Sequence, residues 1–132
     1  MEIIKCWQEK GELIQEPFKR HIKLFLGPDK RDCPEINFTQ AIIYPQYETD
    51  YHAHDRPELI YVVSGKGVAI CEGTETPIEA DMAMWVRAGE MHQVRNTGDE
   101  TLKLATVFVP GYSAVDHIGR IKKAAADAKT RH

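Results

Sequence analysis

Two histidines and a glutamate lie close together near the middle of the chain, within residues 51–58. On a β-strand, residues two apart face the same side, so His52 and His54 can direct both imidazoles at one point. Pro57 interrupts the strand, and a short turn there can return the carboxylate of Glu58 to that point. Neutral imidazoles with one carboxylate suit Fe(II), Mn(II), Ni(II), Co(II) or Zn(II). The pattern therefore indicates a site for one divalent metal ion.

A fourth candidate ligand, His92, lies on a later predicted strand, directly after residues 88–91. A histidine pair alone is weak evidence for a metal, because strand histidines also lie on wet faces or hydrogen-bond locally. Four protein ligands on an octahedral ion would leave two positions for a substrate, water or dioxygen.

Both segments resemble the sequence motifs of the cupin superfamily. The pattern His52-x-His54-x3-Glu58-x6-Gly65 matches the first motif from its histidine pair onward, and Gly89-x2-His92-x3-Asn96 matches the end of the second. The resemblance to small single-domain metal-binding cupins implies an all-β double-stranded β-helix, also called a cupin or jelly-roll barrel. In such cupins the motif histidines and glutamate are the ligands. The resemblance thus implies that one ion is held by His52, His54, Glu58 and His92.

Three positions depart from these motifs: Gln46 and Asp81 stand where glycines are usual, and Arg87 stands where a proline is usual. These changes concern turns and strand entry rather than metal ligation. Arg87 is either a solvated surface charge or a group that points toward the pocket mouth and attracts an acidic substrate.

Short strands separated by turn residues are the elements expected to position these groups. Strand-forming residues recur over residues 21–26, 37–44, 58–63, 68–72, 82–86, 93–96 and 102–109. The segment Ser64-Gly65-Lys66-Gly67 predicts a hairpin between the third and fourth of these strands, because glycine reaches positive φ without steric cost. We expect one domain over residues 1–132, with the conserved barrel over about residues 36–110.

The end of the chain predicts a short C-terminal α-helix over about residues 113–128. Ser113 can cap this helix, with Asp116 at the third following position. One apolar stripe recurs there at helical spacing, formed by Ala114, Ile118, Ile121 and Ala125. The stripe is expected to pack on the barrel or on a partner subunit.

Strand parity selects the side chains that would surround the metal. If Glu58 points into the barrel, Ile60 points inward as well. If Lys103 faces water, Thr106 and Phe108 point into the barrel. Near residue 40, parity leaves two choices, Gln40 with Ile42 or Thr39 with Ala41. The candidate pocket residues are Gln40, Ile60, Arg87, Thr106 and Phe108. Three further histidines match no motif and are expected to be ordinary surface residues, namely His21, His117 and His132.

Composition narrows the classes of function. The 132 residues, 42% hydrophobic and 28% charged, are typical of a globular domain. A net charge of −3 gives no basic excess for nucleic acid, and no apolar run reaches the roughly 20 residues that span a bilayer. The N-terminus lacks signal-peptide features, and three widely spaced cysteines suit a reducing cytosol, so a cytoplasmic protein is expected. We also expect a homodimer, to which the apolar N-terminal segment could add strands.

The predicted function is that of a metal-dependent enzyme acting on a small chelating or carboxylate-bearing molecule, with a dioxygenase as the leading type. One alternative is a metal-dependent lyase or isomerase, similar to the cupin lyases that cleave dimethylsulfoniopropionate. Such lyases use a tyrosine base near the metal, and Ile60 occupies the position where we would look for it. Another alternative is a non-catalytic cupin that binds a small ligand.

Overall fold

Residues 1–130, which the computed structural model describes, form nine β-strands followed by one α-helix. In chain order the elements are β1 (Glu12–Ile14), β2 (Arg20–Leu26), β3 (Asn37–Ile43), β4 (Glu58–Ser64), β5 (Lys66–Cys71), β6 (Thr74–Glu79), β7 (Ala83–Val86), β8 (His92–Arg95), β9 (Leu102–Phe108) and α1 (Ala114–Thr130). The prediction of an all-β domain with a C-terminal helix is confirmed.

The strands form two antiparallel sheets that enclose an apolar core. The larger sheet has the order β1-β2-β3-β9-β4-β7, and the smaller has the order β6-β5-β8. Alternate residues of β4 and β9 are buried, as parity predicts. The buried core between the sheets consists of Ile43, Ile60, Val62, Ile78, Val86, Val94, Leu102 and Leu104.

All seven strands predicted from the sequence are present, and two further strands were missed. In β6 only Ile78 is buried, so this edge strand lacks the apolar alternation that marks a strand in a sequence. It also contains Pro77, a residue that sheets tolerate at their edges. β1 is only three residues long. With β2 it extends the larger sheet upstream of residue 36, where the barrel was predicted to begin.

The predicted hairpin at residues 64–67 is wrong. β4 pairs with β7 and β9, whereas β5 pairs with β6 and β8. The segment carries the chain from one sheet to the other. Gly65 does adopt positive φ (93°), but Gly67 serves a different purpose. A Cβ at Gly67 would overlap the carbonyl oxygen of Arg95, so this glycine permits the two strands to pass closely.

Alanine at Gly67 is therefore expected to destabilise the protein by about 3 kcal/mol, because a backbone carbonyl cannot move aside as a flexible side chain could. The matched control is Gly119→Ala in α1, where an added Cβ meets nothing within 4 Å. That change should stabilise the helix by about 0.5–1 kcal/mol. Urea denaturation of both variants measures the two shifts, and equal effects would contradict the close-packing argument.

The N-terminal segment completes its own sheet. Leu13 and Ile14, the last apolar residues of this segment, lie in β1, which pairs with β2 of the same chain. Ile14 of β1 is fully buried and packs with Ile22 against Ile121 and Ala125 of α1. The apolar stripe of the helix thus covers its own domain, which decides between the two predicted packing partners.

The first turn of α1 is capped from a distant loop. The backbone N–H of Ala114 donates to Asp29 Oδ2 over 2.7 Å, which satisfies one of the free N–H groups at the helix start. Within residues 1–130, no helix is long and apolar enough to cross a membrane.

Candidate metal centre

A backbone bridge brings the two sequence motifs together. His52 and His92 exchange N–H to carbonyl hydrogen bonds of 3.0 and 2.8 Å, which places their side chains next to one another. The carbonyl of His54 accepts a 2.8 Å hydrogen bond from Gly89. As a result, one ring nitrogen from each of His52, His54 and His92 lies within 4.8 Å of the other two. The Nε2 atoms of His52 and His54 are 2.9 Å apart.

Glu58 opens β4 with its carboxylate turned toward the same point. Its Oε1 lies 3.2 Å from His92 Nε2 and 3.6 Å from His54 Nε2. The Glu58 side chain is buried, as are those of His54 and His92. The structure therefore brings all four predicted ligands to one place.

The hydrogen bonds behind the imidazoles fix which nitrogen faces inward. His52 Nδ1 lies 2.7 Å from the carbonyl of Asp50, and His92 Nδ1 lies 2.8 Å from the carbonyl of Glu90. A carbonyl only accepts, so each Nδ1 donates its proton and leaves an Nε2 lone pair directed at the centre. Lone pairs that converge beside a carboxylate repel one another unless a cation lies between them. The residues present thus fit a divalent metal ion.

Burial keeps two of these histidines neutral. It lowers the pKa of His52 to about 4, and together with the neighbouring His52 and His92 it lowers the pKa of His54 to about 2. Neutral imidazole is the form that binds a metal.

The contact between Glu58 and His92 also favours a cation. Burial raises the pKa of Glu58, because an isolated carboxylate is costly in this interior. Burial alone would lower the pKa of His92, but its hydrogen bonds to Glu58 and to the Glu90 carbonyl outweigh it and raise the pKa. Both shifts favour positive charge between the two groups, which a metal ion would supply.

The centre opens into a small cavity of about 60 Å³. Besides the four predicted ligands, its lining includes Arg20, Thr39, Ile60, Thr106, Phe108, His117 and Arg120. Thr39 and Thr106 are buried neighbours on β3 and β9 whose hydroxyl groups hydrogen-bond to each other. The cavity is thus largely apolar, and besides the four predicted ligands its polar lining groups are two guanidinium groups, three threonines and His117.

Two arginines share one buried carboxylate beside the centre. Asp50 Oδ1 lies 3.4 Å from Arg20 Nη2, and Asp50 Oδ2 lies 2.9 Å from Arg120 Nη1. Asp50 Oδ2 is also 3.5 Å from His52 Nδ1. Burial lowers the pKa of Arg20 to about 10, so its guanidinium stays charged at neutral pH. The arginines bring positive charge to the wall of the cavity.

Sequence reasoning missed both arginines, and its prediction for one histidine was wrong. His117, expected on the surface, packs its ring 4.9 Å from that of Phe108 and 6.2 Å from that of His54. Burial lowers the pKa of His117 to about 4. The available signal was the spacing of His117 and Arg120, three residues apart on one helix. His132, also predicted on the surface, lies outside the described residues.

The candidate pocket residues divide into two groups. Ile60, Thr106 and Phe108 line the cavity. Gln40 does not, because β3 turns Thr39 and Ala41 inward and Gln40 therefore faces the other side.

Arg87 does not line the metal cavity either. It is exposed at a separate and larger cleft of about 340 Å³, which is bordered by residues of β6 and β7. Ile60, His92 and Val94 line both spaces. Arg87 directly follows Val86, the last residue of β7, and it lies on the side of the shared wall that borders the larger cleft.

Comparison with known proteins places the fold and the motifs in a family. Residues 40–109 match the family model described as the Cupin domain, and the chain belongs to the cupin family. Within that family, the chain is similar to an oxalate-binding protein of Thermotoga maritima. The two are 29% identical over 73 residues, which cover 54% of this chain and 60% of that protein.

Solved structures agree on the architecture. A predicted oxalate decarboxylase of Thermotoga maritima superposes with a TM-score of 0.75 at 21% identity, covering 83% of this chain and 99% of the other. Ectoine synthase from P. lautus gives a TM-score of 0.74 at 18% identity, covering 92% and 87% of the two chains. These likenesses confirm the predicted cupin double-stranded β-helix.

Proposed function

We propose that this protein is a metal-dependent cupin whose centre takes a small, carboxylate-bearing molecule, and that it is an enzyme of the dioxygenase type. One observation carries the proposal. Three imidazoles and the carboxylate of Glu58 converge at a small cavity whose other charged lining groups are Arg20 and Arg120.

The residues of the chain have distinct parts in this proposal. A divalent ion held by His52, His54, Glu58 and His92 would supply Lewis acidity and, as iron, open positions for a chelating substrate and dioxygen. The guanidinium groups of the cavity would bind and orient a carboxylate, because their planar N–H groups match its two oxygens. The apolar wall would exclude bulk water from the bound molecule.

The size of the cavity restricts the ligand. At about 60 Å³ the cavity is small, so a compact ligand fits it better than a bulky one unless the walls move. A small dicarboxylate meets this limit. The name of the Thermotoga maritima relative, an oxalate-binding protein, supports the same class of ligand.

A second candidate function is binding without catalysis. The restricted cavity and the name of that relative favour it over a lyase. Among residues 1–130, no tyrosine lines the cavity. Tyr112 packs nearby, but its hydroxyl donates to the exposed carboxylate of Asp55 over 2.7 Å. A base of the kind used by the dimethylsulfoniopropionate lyases therefore has no counterpart in the cavity.

One experiment separates the two candidates. Protein purified without added metal is analysed for its metal content, then loaded anaerobically with Fe(II), Mn(II) or Zn(II). Oxygen uptake and product formation are followed with oxalate and other chelating carboxylates, and ligand binding is followed by calorimetry. Oxygen-dependent turnover supports the dioxygenase. Binding without turnover by any metal form favours the binding protein, and a protein that binds neither metal nor carboxylate contradicts both.

The homodimer and the cytoplasmic location stay predictions. The outer face of the larger sheet exposes Leu59, Tyr61, Val63 and Trp85, which offers an apolar surface to a second copy. A solution mass equal to one chain would contradict the dimer.

A further inference from the structure

We propose that Arg120 of the C-terminal helix is the specificity-determining residue of the centre. In this inference its guanidinium binds the oxygen atoms of the ligand's second carboxylate that the metal leaves free, so the site selects dicarboxylates over monocarboxylates and neutral chelators. The inference rests on the proposed function, because it assigns a class of ligand to the same centre.

The first support is an unused donor. Arg120 Nη1 donates to Asp50, but its Nε is buried and has no hydrogen-bond partner in the described part of the chain. A buried charged donor without an acceptor is unfavourable, and structures seldom leave one unexplained. Since Arg120 lines the cavity, an oxygen atom of a bound ligand is the natural acceptor.

The second support is the balance of charge around the cavity. Arg20 and Arg120 share the single carboxylate of Asp50, which leaves one positive charge in this group. A divalent ion ligated by Glu58 and three neutral imidazoles leaves a second positive charge. Across residues 1–130, no acidic side chain other than Glu58 lines the cavity, and burial, which lowers the pKa of His117 to about 4, keeps that lining group neutral. The Arg120 side chain is 36% exposed, so solvent screens part of its charge. Uncompensated charge beside a largely apolar cavity is still unfavourable, and a dianion would neutralise both groups at once.

The third support is the position of Arg120 on the route to the metal. Arg120, His117 and His54 line the inner cavity and also a neighbouring outer pocket that includes Asp55, Asp116 and Tyr112. The guanidinium thus lies between the surface and the imidazoles. A ligand that enters from the outer pocket with one carboxylate leading would leave its second carboxylate beside Arg120.

The fourth support is that the helix holds Arg120 in place. The next residue, Ile121, is buried with Ala125 against Ile14 and Ile22. This packing fixes the helix over the cavity, so the guanidinium is positioned before a ligand arrives. Preorganised groups of this kind discriminate between ligands better than mobile ones.

Binding measurements on three variants test the inference. Arg120→Gln removes the charge, Arg120→Lys keeps the charge but loses the planar fork, and Lys123→Gln is the matched control. Lys123 lies on the same helix with a side chain 77% exposed. Each protein is loaded with Mn(II), its metal content is measured, and the affinities for oxalate, acetate and the neutral oxamide are determined by calorimetry.

We expect Arg120→Gln to keep a full equivalent of metal and to lose on the order of 10- to 100-fold in oxalate affinity, since a hydrogen bond to a charged group is removed. Its acetate affinity should change by less than about threefold, because acetate has only the carboxylate that the metal holds. Arg120→Lys should recover part of the loss, and Lys123→Gln should match the native protein.

An Arg120→Gln variant that binds metal and oxalate like the native protein would overturn the inference while leaving the proposed function in place. If Arg120→Gln fails to fold, the ratio of oxalate to acetate affinity in Arg120→Lys decides, and an unchanged ratio contradicts the inference. A native protein that binds no carboxylate at all contradicts the proposed function instead.

Discussion

Alanine in place of His92 is expected to remove stoichiometric metal binding, with a loss of affinity of about 100-fold or more. Changes to groups that merely support a ligand already cost about 10- to 100-fold, and His92 is itself one of the converging imidazoles. Its Nε2 also faces Glu58 Oε1 at 3.2 Å, so the variant would leave that buried carboxylate without its partner. Metal analysis after dialysis and competition with a chromophoric chelator measure the loss.

The fold should survive this substitution. The bridge between His52 and His92 is made by backbone atoms alone, so alanine retains it. His21→Ala is the matched control. The His21 side chain packs against Gly11, just before β1, and it does not line the metal cavity. The control should bind metal as the native protein does. Full occupancy of His92→Ala with unchanged affinity would contradict the assignment of His92 as a ligand.

The parts of the fold that the sequence predicted are those determined by local alternation. In β4 and β9 every second residue is buried, and a strand with one buried face has only one register that keeps its apolar side chains inside. For that reason the inward positions of Ile60, Thr106 and Phe108 followed from the positions of Glu58 and Lys103.

The incorrect predictions concern strand pairing, which the local sequence does not specify. Gly65 and Gly67 have the turn chemistry of a hairpin, but the same chemistry serves a crossing between two sheets. Which strand pairs with β4 depends on β7 and β9, whose residues are distant in the chain. Turn residues predict that the chain changes direction, and non-local packing decides where it goes.

The same limit applies to the centre. The candidate ligands lie in two short motifs, so spacing was enough to find them. Arg20 and Arg120 come from β2 and α1, and they meet only because the apolar stripe of the helix docks on β1 and β2. The sequence predicted that stripe, but it did not show which barrel face the helix covers. The residues we propose for specificity thus depend on a docking geometry that only the structure provides.

Neutralising Asp50 is expected to destabilise the fold strongly, because Asp50 is the acidic partner of two arginines. Arg20 and Asp50 are only 3% and 7% exposed, and Asp50 contacts both arginines. Asp50→Asn keeps the shape of the side chain, removes its charge and turns an amide donor toward guanidinium donors. Breaking a buried ion pair by removing one partner typically costs about 3–5 kcal/mol. Because the Arg120 side chain is 36% exposed, solvent screens its share, and we expect about 3 kcal/mol.

Urea denaturation at neutral pH of the metal-free protein measures this loss, because bound metal would stabilise the native state by mass action. Asp127→Asn is the matched control: its ion pair with Lys123 lies on the exposed side of α1, and its removal should cost no more than about 0.5 kcal/mol.

The double variant Asp50→Asn with Arg20→Met should recover part of the stability, since it removes the unpaired charge of Arg20 along with that of Asp50. If Asp50→Asn alone costs less than the control, or if the double variant recovers nothing, the buried charge is not what determines the effect. A recovery of about 1 kcal/mol or more would show that Asp50 stabilises the fold chiefly by compensating Arg20.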